Sequence, residues 1–314
     1  MEAYMDDDIM ASTFRLTTPE GVHLFARKWA PAASAPRAAL LIAHGAAEHS
    51  QRYDRLARFL TASGFACYAP DHRGHGMTAG SLDRAGQAGP DGWNGMVRDL
   101  KQLAGVIQAE YPQAPLFLFG HSMGSFLAQR YMQLWGASLQ GAILSGSSGA
   151  IAGLEQLLPM VEAAAQGAAA TQPSAIFKGM FASFNQPFAP GKTGFEWLSR
   201  DEAEVQKYVD DPWCGFAFSN QLTGDFLKGL AELWQPENEA HIPTNLPVLI
   251  FSGELDPVGG NTASVNELAR RYRQLGLQDL QVTFYPGARH ETLNEINREQ
   301  VQQDLLTWLE KHLE

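Results

Sequence analysis

The stretch Pro115–Gln129, PLFLFGHSMGSFLAQ, decides how this chain is read. An apolar run of strand length (115–120) meets Gly-His-Ser-Met-Gly (120–124), and a run with helical spacing follows (125–136, SFLAQRYMQLWG). A strand that turns sharply into a helix holds a serine at its apex in a strained backbone geometry, with the hydroxyl exposed. Gly120 and Gly124 leave room where side chains would collide with neighbouring elements. The helix N-terminus also turns its free N–H groups toward the apex. The five-letter pattern is short, and a plain serine in a glycine-rich turn is the competing reading. Its position at a strand-to-helix corner favours Ser122 as a nucleophile.

Outward from this corner, strand and helix patterns alternate. Residues 13–18 and 22–29, separated by Pro19-Glu20-Gly21, predict an antiparallel hairpin. A continuous apolar run at 38–44 predicts a strand buried on both faces, and 65–71 and 139–146 read as further strands. Helical patterns fill 53–64 and 93–111. From Ser147 to about Asn245 the rhythm breaks into helical pieces, chiefly LEQLLPMVEAAAQGAAA and DFLKGLAELW, separated by Pro, Gly and Phe. Alternation then resumes with strands at 246–253 and 280–287 and helices at 262–275 and 299–313. The expected fold is α/β, a mostly parallel eight-stranded sheet flanked by helices. The expected division is core 1–146, helical insertion 147–245 and core 246–314.

A serine hydroxyl needs a base, and the base needs an orienting acid. On this architecture they follow the serine as acid, then histidine, on loops after later strands. Asp256 lies past the strand in LPVLIFSGELDPVGG, and His290 past the last strand in LQVTFYPGARHETLNE. Rival acids are Glu254, Asp71 and Glu291; Asp256 is favoured because an Asp-Pro turn fixes a short carboxylate, although such a turn also forms without catalysis. The run ILSGSSG carries no acid. Acyl transfer also needs two N–H donors for the oxyanion, expected from Met123 after the nucleophile and Ala46 after His44-Gly45.

Bulk properties narrow the alternatives. The chain has 314 residues, 45% hydrophobic and 18% charged, with a formal charge of −11. That charge argues against nucleic acid or an anionic membrane as partner. Only Cys67 and Cys214 occur, which fits a reducing cytoplasm better than a disulfide framework. The N-terminal residues show no signal-peptide pattern, and no run approaches the ~18 apolar residues of a membrane span. His44, His49, His72, His75 and His121 form no HExxH or close His/Cys motif, and there is no P-loop, so neither metal nor cofactor is expected.

Five blocks in order, HGAAEHSQRY (44–53), DHRGHG (71–76), GHSMGS (120–125), SGELDPVGG (252–260) and ARHETLNE (288–295), resemble the α/β-hydrolase superfamily. More narrowly they resemble its monoacylglycerol lipase and lysophospholipase branch. HGxxEHSxRY is the most discriminating block. The resemblance implies the same Ser122, Asp256, His290, Ala46 and Met123 as site residues, and the insertion as an amphipathic cap over an acyl tunnel. WLSRD (197–201) and DPWCGF (211–216) resemble bacterial members, whereas residues 155–180 match no family pattern. The loop after Asp256 lacks the cysteine of mammalian relatives, so thiol sensitivity does not carry over.

The expectation is therefore a serine ester hydrolase for a small acyl lipid, working through an acyl-enzyme. A carboxylesterase, peptidase or perhydrolase would use the same scaffold, and a non-catalytic sensor is the remaining class. The apolar residues of the cap have two readings, packing on the core by default or peripheral contact with a lipid surface.

Overall fold

Alternation along β5 sends Leu116 and Leu118 into one buried layer and Phe117 and Phe119 into the other. A central strand with both faces covered behaves in this way. The structure is a computed structural model and describes residues 9–151 and 153–313. Residues 1–8, read above as carrying no leader, lie outside it.

The strands are β1 (Ile9–Thr17), β2 (His23–Pro31), β3 (Ala38–Ala43), β4 (Phe65–Pro70), β5 (Leu116–His121), β6 (Gly141–Ser145), β7 (Val248–Gly253) and β8 (Leu280–Tyr285). They form one sheet in the order β1-β2-β4-β3-β5-β6-β7-β8. Six consecutive members from β4 to β8 pair in parallel, and β2 runs antiparallel to both β1 and β4. The chain is thus an α/β-hydrolase fold with an eight-stranded, mostly parallel sheet.

Helices cover both faces. α1 (Asp54–Ala62) sits on one side, α2 (Gly76–Ala79) follows β4, and α3 (Gly92–Glu110) and α4 (Met123–Trp135) sit on the other side. α5 (Leu154–Ala164), α6 (Ala175–Asn185), α7 (Glu202–Asp210), α8 (Asn220–Leu233) and α9 (Pro236–Glu239) lie between β6 and β7. α10 (Ala263–Gln274) and α11 (Arg298–Lys311) complete the chain. Leu56 and Leu60 of α1 share a buried layer with Leu305 and Trp308 of α11; Leu100, Leu127 and Leu268 fill the opposite one. Each such side chain contributes roughly 1.5–3 kcal/mol by leaving water. Among the described residues no helix is long and apolar enough to cross a membrane.

Two local readings change. α4 starts at Met123 rather than at residue 125, because the Ser122 carbonyl already accepts from the N–H groups of Ser125 and Phe126. The alanine-rich run at 163–170 is not continuously helical. α5 stops at Ala164 and a single 3-10 turn follows, since Gly167 takes φ +55° and the carbonyls of Ala169 and Ala170 turn to Asn220 and Gln221.

Candidate active site

Parallel pairing carries the loops after β3, β5, β6, β7 and β8 to one edge of the sheet. Ser122 leaves β5 with φ 52° and ψ −121°, a region that side chains other than glycine rarely occupy. The flanking glycines make this corner fit. A Cβ on Gly124 would lie 2.0 Å from the Ala43 carbonyl oxygen, and one on Gly120 would lie 2.2 Å from that of Gly124. No side chain fits at either place, and Ser122 is left half-buried at the rim.

His290 is buried, and its Nδ1 lies 2.9 Å from Asp256 Oδ1. The same carboxylate accepts from the Val258 N–H at 2.9 Å and, through Oδ2, from the Ser252 hydroxyl at 3.0 Å. Three donors on a buried acid keep it ionised: burial pushes Asp256 up, but the His290 imidazole and these bonds hold it below the usual carboxylate range. Burial alone would lower His290, yet the facing Asp256 raises it above the ordinary histidine value. The three rival acids are engaged elsewhere. Asp71 accepts from Ser50 and Met77, Glu254 from the Gly287 N–H, and Glu291 from Arg52.

Ser122 and His290 border one cleft with Gly45 and Trp197. Ser122, Ala46 and Met123 also open onto a cavity of about 300 Å³ walled by aromatic and aliphatic side chains, among them Phe126, Phe177, Phe181 and Leu230. None of the described residues that line it is charged.

The blocks of polar residues turn out to build the loops around this cleft. Glu48 Oε1 accepts from the Gly45 N–H at 2.5 Å and from the Tyr53 hydroxyl at 2.8 Å. Burial disfavours its charge, but Arg52 and the nearby histidines hold Glu48 down at about 2. Ala47, at φ 55°, donates its N–H to His75 Nε2 at 3.2 Å, while His75 Nδ1 donates to the Arg73 carbonyl at 2.9 Å. That pattern requires a neutral ring, and burial together with His44 depresses His75 to about 3. His44 bridges the Gly45 carbonyl and the His72 N–H in the same way. Arg73 forms a buried pair with Asp99 through bonds of 2.7 Å. His121 lies beside His290, ring centres 4.7 Å apart and planes tilted by 47°, and burial plus that neighbour lower it to about 4.

Sequence reasoning assigned no role to Trp197 or to the Glu48–Arg52–Glu291 group. The Trp197 ring lies 4.9 Å from that of His290, and its carbonyl accepts the His290 N–H at 3.2 Å. Leu198 accepts the Glu291 N–H at 2.7 Å, and Arg200 bonds the buried Glu295. The segment 197–201 therefore docks onto the histidine loop. WLSRD and HGxxEHSxRY were the available signals, but a pattern does not say what it touches.

Known proteins resemble this chain along most of its length. Residues 34–297 match the Hydrolase_4 family, described as serine aminopeptidase, S33. Monoacylglycerol lipase of Mycolicibacterium smegmatis is 27% identical over 93% of this chain and 95% of its own length. Monoglyceride lipase of Homo sapiens is 30% identical over 88% of this chain and 82% of its own. Among solved structures, a thermostable carboxyl esterase from Bacillus coagulans in complex with glycerol superposes with a TM-score of 0.90 at 27% identity, covering 97% of this chain and 99% of that one. The chain belongs to the Hydrolase_4 family of α/β-hydrolases, in the branch that contains the monoglyceride lipases.

Proposed function

We propose that this chain is a serine esterase that cleaves monoacylglycerols or closely similar single-chain acyl esters. One observation carries the reading: an uncharged, aromatic-walled cavity leads directly from Ser122. An acyl chain fits such a wall, and two of the named relatives are monoacylglycerol lipases. His290 takes the Ser122 proton as Oγ attacks the ester carbonyl, and the Ala46 and Met123 N–H groups receive the oxyanion. Asp256 holds the imidazole with its proton on Nδ1 and balances the imidazolium that forms. His290 then protonates the leaving alcohol, and a water deprotonated by His290 releases the acid. In this reading α5 to α9 act as a cap over the acyl chain, and exposed Ile151 and Met160 are its candidates for lipid contact.

The aminopeptidase description attached to the family is the second reading. An aminopeptidase needs a carboxylate for the substrate ammonium, and Glu48 and Glu291, the acids beside the cleft, are both engaged by Arg52. The ester reading is therefore preferred. A panel of glyceryl and nitrophenyl esters of graded chain length, run beside aminoacyl amides and the Ser122→Ala variant, tests it. Faster turnover of amides than of esters, or ester turnover that survives Ser122→Ala, rejects the proposal.

A further inference from the structure

At the seam between the loop after β3 and the segment following α7, three donor atoms converge away from Ser122. His49 Nε2, an Asp211 carboxylate oxygen and Cys214 Sγ all lie within 4.8 Å of one another. Two of them already touch, with Nε2 and Oδ2 2.9 Å apart. The turn that presents them is formed by its own backbone bonds. Asp211 Oδ1 accepts the Trp213 N–H at 2.9 Å and the Asp211 carbonyl accepts that of Cys214 at 3.0 Å, so only the second carboxylate oxygen faces His49. Neither His49, Asp211 nor Cys214 borders the cleft or the cavity at Ser122.

We propose that His49, Asp211 and Cys214 bind one divalent transition-metal ion, zinc foremost, which clasps the helical segment to the loop that carries Ala46. Imidazole nitrogen, thiolate and carboxylate together make a set that zinc accepts, whereas magnesium and calcium do not take thiolate ligands. Zinc bonds of about 2.0–2.3 Å place donors roughly 3.3–3.8 Å apart, so Nε2 and Oδ2 must open by about 0.4 Å and Sγ approach them by at most about an ångström. The Asp211 side chain is 31% exposed, which leaves a fourth position open to water. On binding, the ion replaces the hydrogen shared by Nε2 and Oδ2, the imidazole carries its proton on Nδ1, and the Cys214 thiol proton passes to solvent. No electron is transferred.

The clasp has a direct route to the substrate-facing loop. Gly215, one residue past Cys214, donates its N–H to the Ala47 carbonyl at 2.9 Å, and the Tyr208 hydroxyl of α7 donates to the same oxygen at 3.0 Å. Ala47 adjoins Ala46. A metal at His49 and Cys214 would thus fix both ends of this contact, independently of what the cleft hydrolyses.

Titration of the metal-stripped full chain with Co²⁺ tests the site, because a cobalt–thiolate bond adds a near-ultraviolet charge-transfer band. The expected result is a band that saturates at one equivalent, is displaced by Zn²⁺, persists in Ser122→Ala and Cys67→Ser, and disappears in Cys214→Ser. Asp211→Asn, which keeps the side-chain shape, should retain the band with affinity weakened about ten-fold or more. Zn²⁺ should also raise the unfolding midpoint of the wild type but not of Cys214→Ser. Absence of the band in the folded wild type, its persistence in Cys214→Ser, or unchanged affinity in Asp211→Asn overturns the proposal.

Discussion

Arg52 grips Glu291 with two parallel bonds of 2.6 and 2.7 Å, one residue past His290. The same guanidinium reaches Glu48 at 2.6 Å, and Glu48 holds the Gly45 N–H. One cation, its side chain 12% exposed, therefore ties the loop before Ala46 to the loop of the candidate base. Removing it leaves two carboxylates facing each other out of water. Arg52→Met should cost about 3–5 kcal/mol in urea unfolding. Arg52→Lys, charged but unable to form the fork, should fall between it and the wild type. A loss below 1 kcal/mol for Arg52→Met would show that the pair is not buried in solution.

The raised pKa of His290 sets the activity profile. As the proposed base, His290 must be neutral to accept the Ser122 proton, so kcat/KM should rise with pH through a midpoint above 6.5. Asp256→Asn should reduce turnover by about 10⁴-fold with the fold unchanged. A midpoint below 6.5 in the wild type would contradict the pairing that raises His290.

Buried neutral histidines shape acid stability. His75 and His121 are depressed to about 3 and about 4 in the folded chain, so between pH 6.5 and those values the unfolded chain binds protons that the folded chain does not. Their support is complete above pH 6.5 and is lost as pH falls. At pH 5 each has cost roughly 2 kcal/mol. His290 works the other way; its support is complete below pH 6.5 and is lost as pH rises through its raised pKa, so between pH 7 and pH 5 it offsets part of this loss. Urea midpoints at pH 7 and pH 5 measure the effect, and His75→Asn, which can still accept the Ala47 N–H, should flatten it.

Gly124 and Gly105 make a matched pair. Gly124→Ala should lose roughly 3 kcal/mol or more, because its methyl meets the Ala43 carbonyl and neither backbone can yield. Gly105 lies exposed in α3 with nothing within 4 Å of an added Cβ, so Gly105→Ala should gain up to about 1 kcal/mol from helix propensity. Equal midpoints for the two variants would refute the steric account.

Leu157 of α5 lines the cavity wall. Leu157→Trp should shift preference among fatty-acyl esters toward shorter chains while butyryl turnover changes less than about three-fold. An unchanged chain-length profile would place the acyl chain elsewhere.

What the sequence by itself determined is local. The apolar run at 115–120, two glycines around Ser122 and a helical run after it specify a strand, a tight corner and a helix, since each depends on neighbours within a few residues. The continuous apolar run at 38–44 likewise announced a covered strand, and 65–71 and 246–253 announced its neighbours in the sheet. Which acid meets His290 was not local: Glu254 and Asp256 lie two residues apart on one loop, and only the approach of β8 beside β7 turns Asp256 toward the ring while Arg52 draws Glu291 away. The acyl-sized cavity was least legible. Helical patterning was clear for α5 and α8, whereas α6 fell in the stretch read as a Pro-, Gly- and Phe-rich separator, and hydrophobic burial is non-directional. Packing of α5 and α6 on α8, and of α8 on α3 and α4, decided which aromatic rings line the space beside Ser122 and which fill the core.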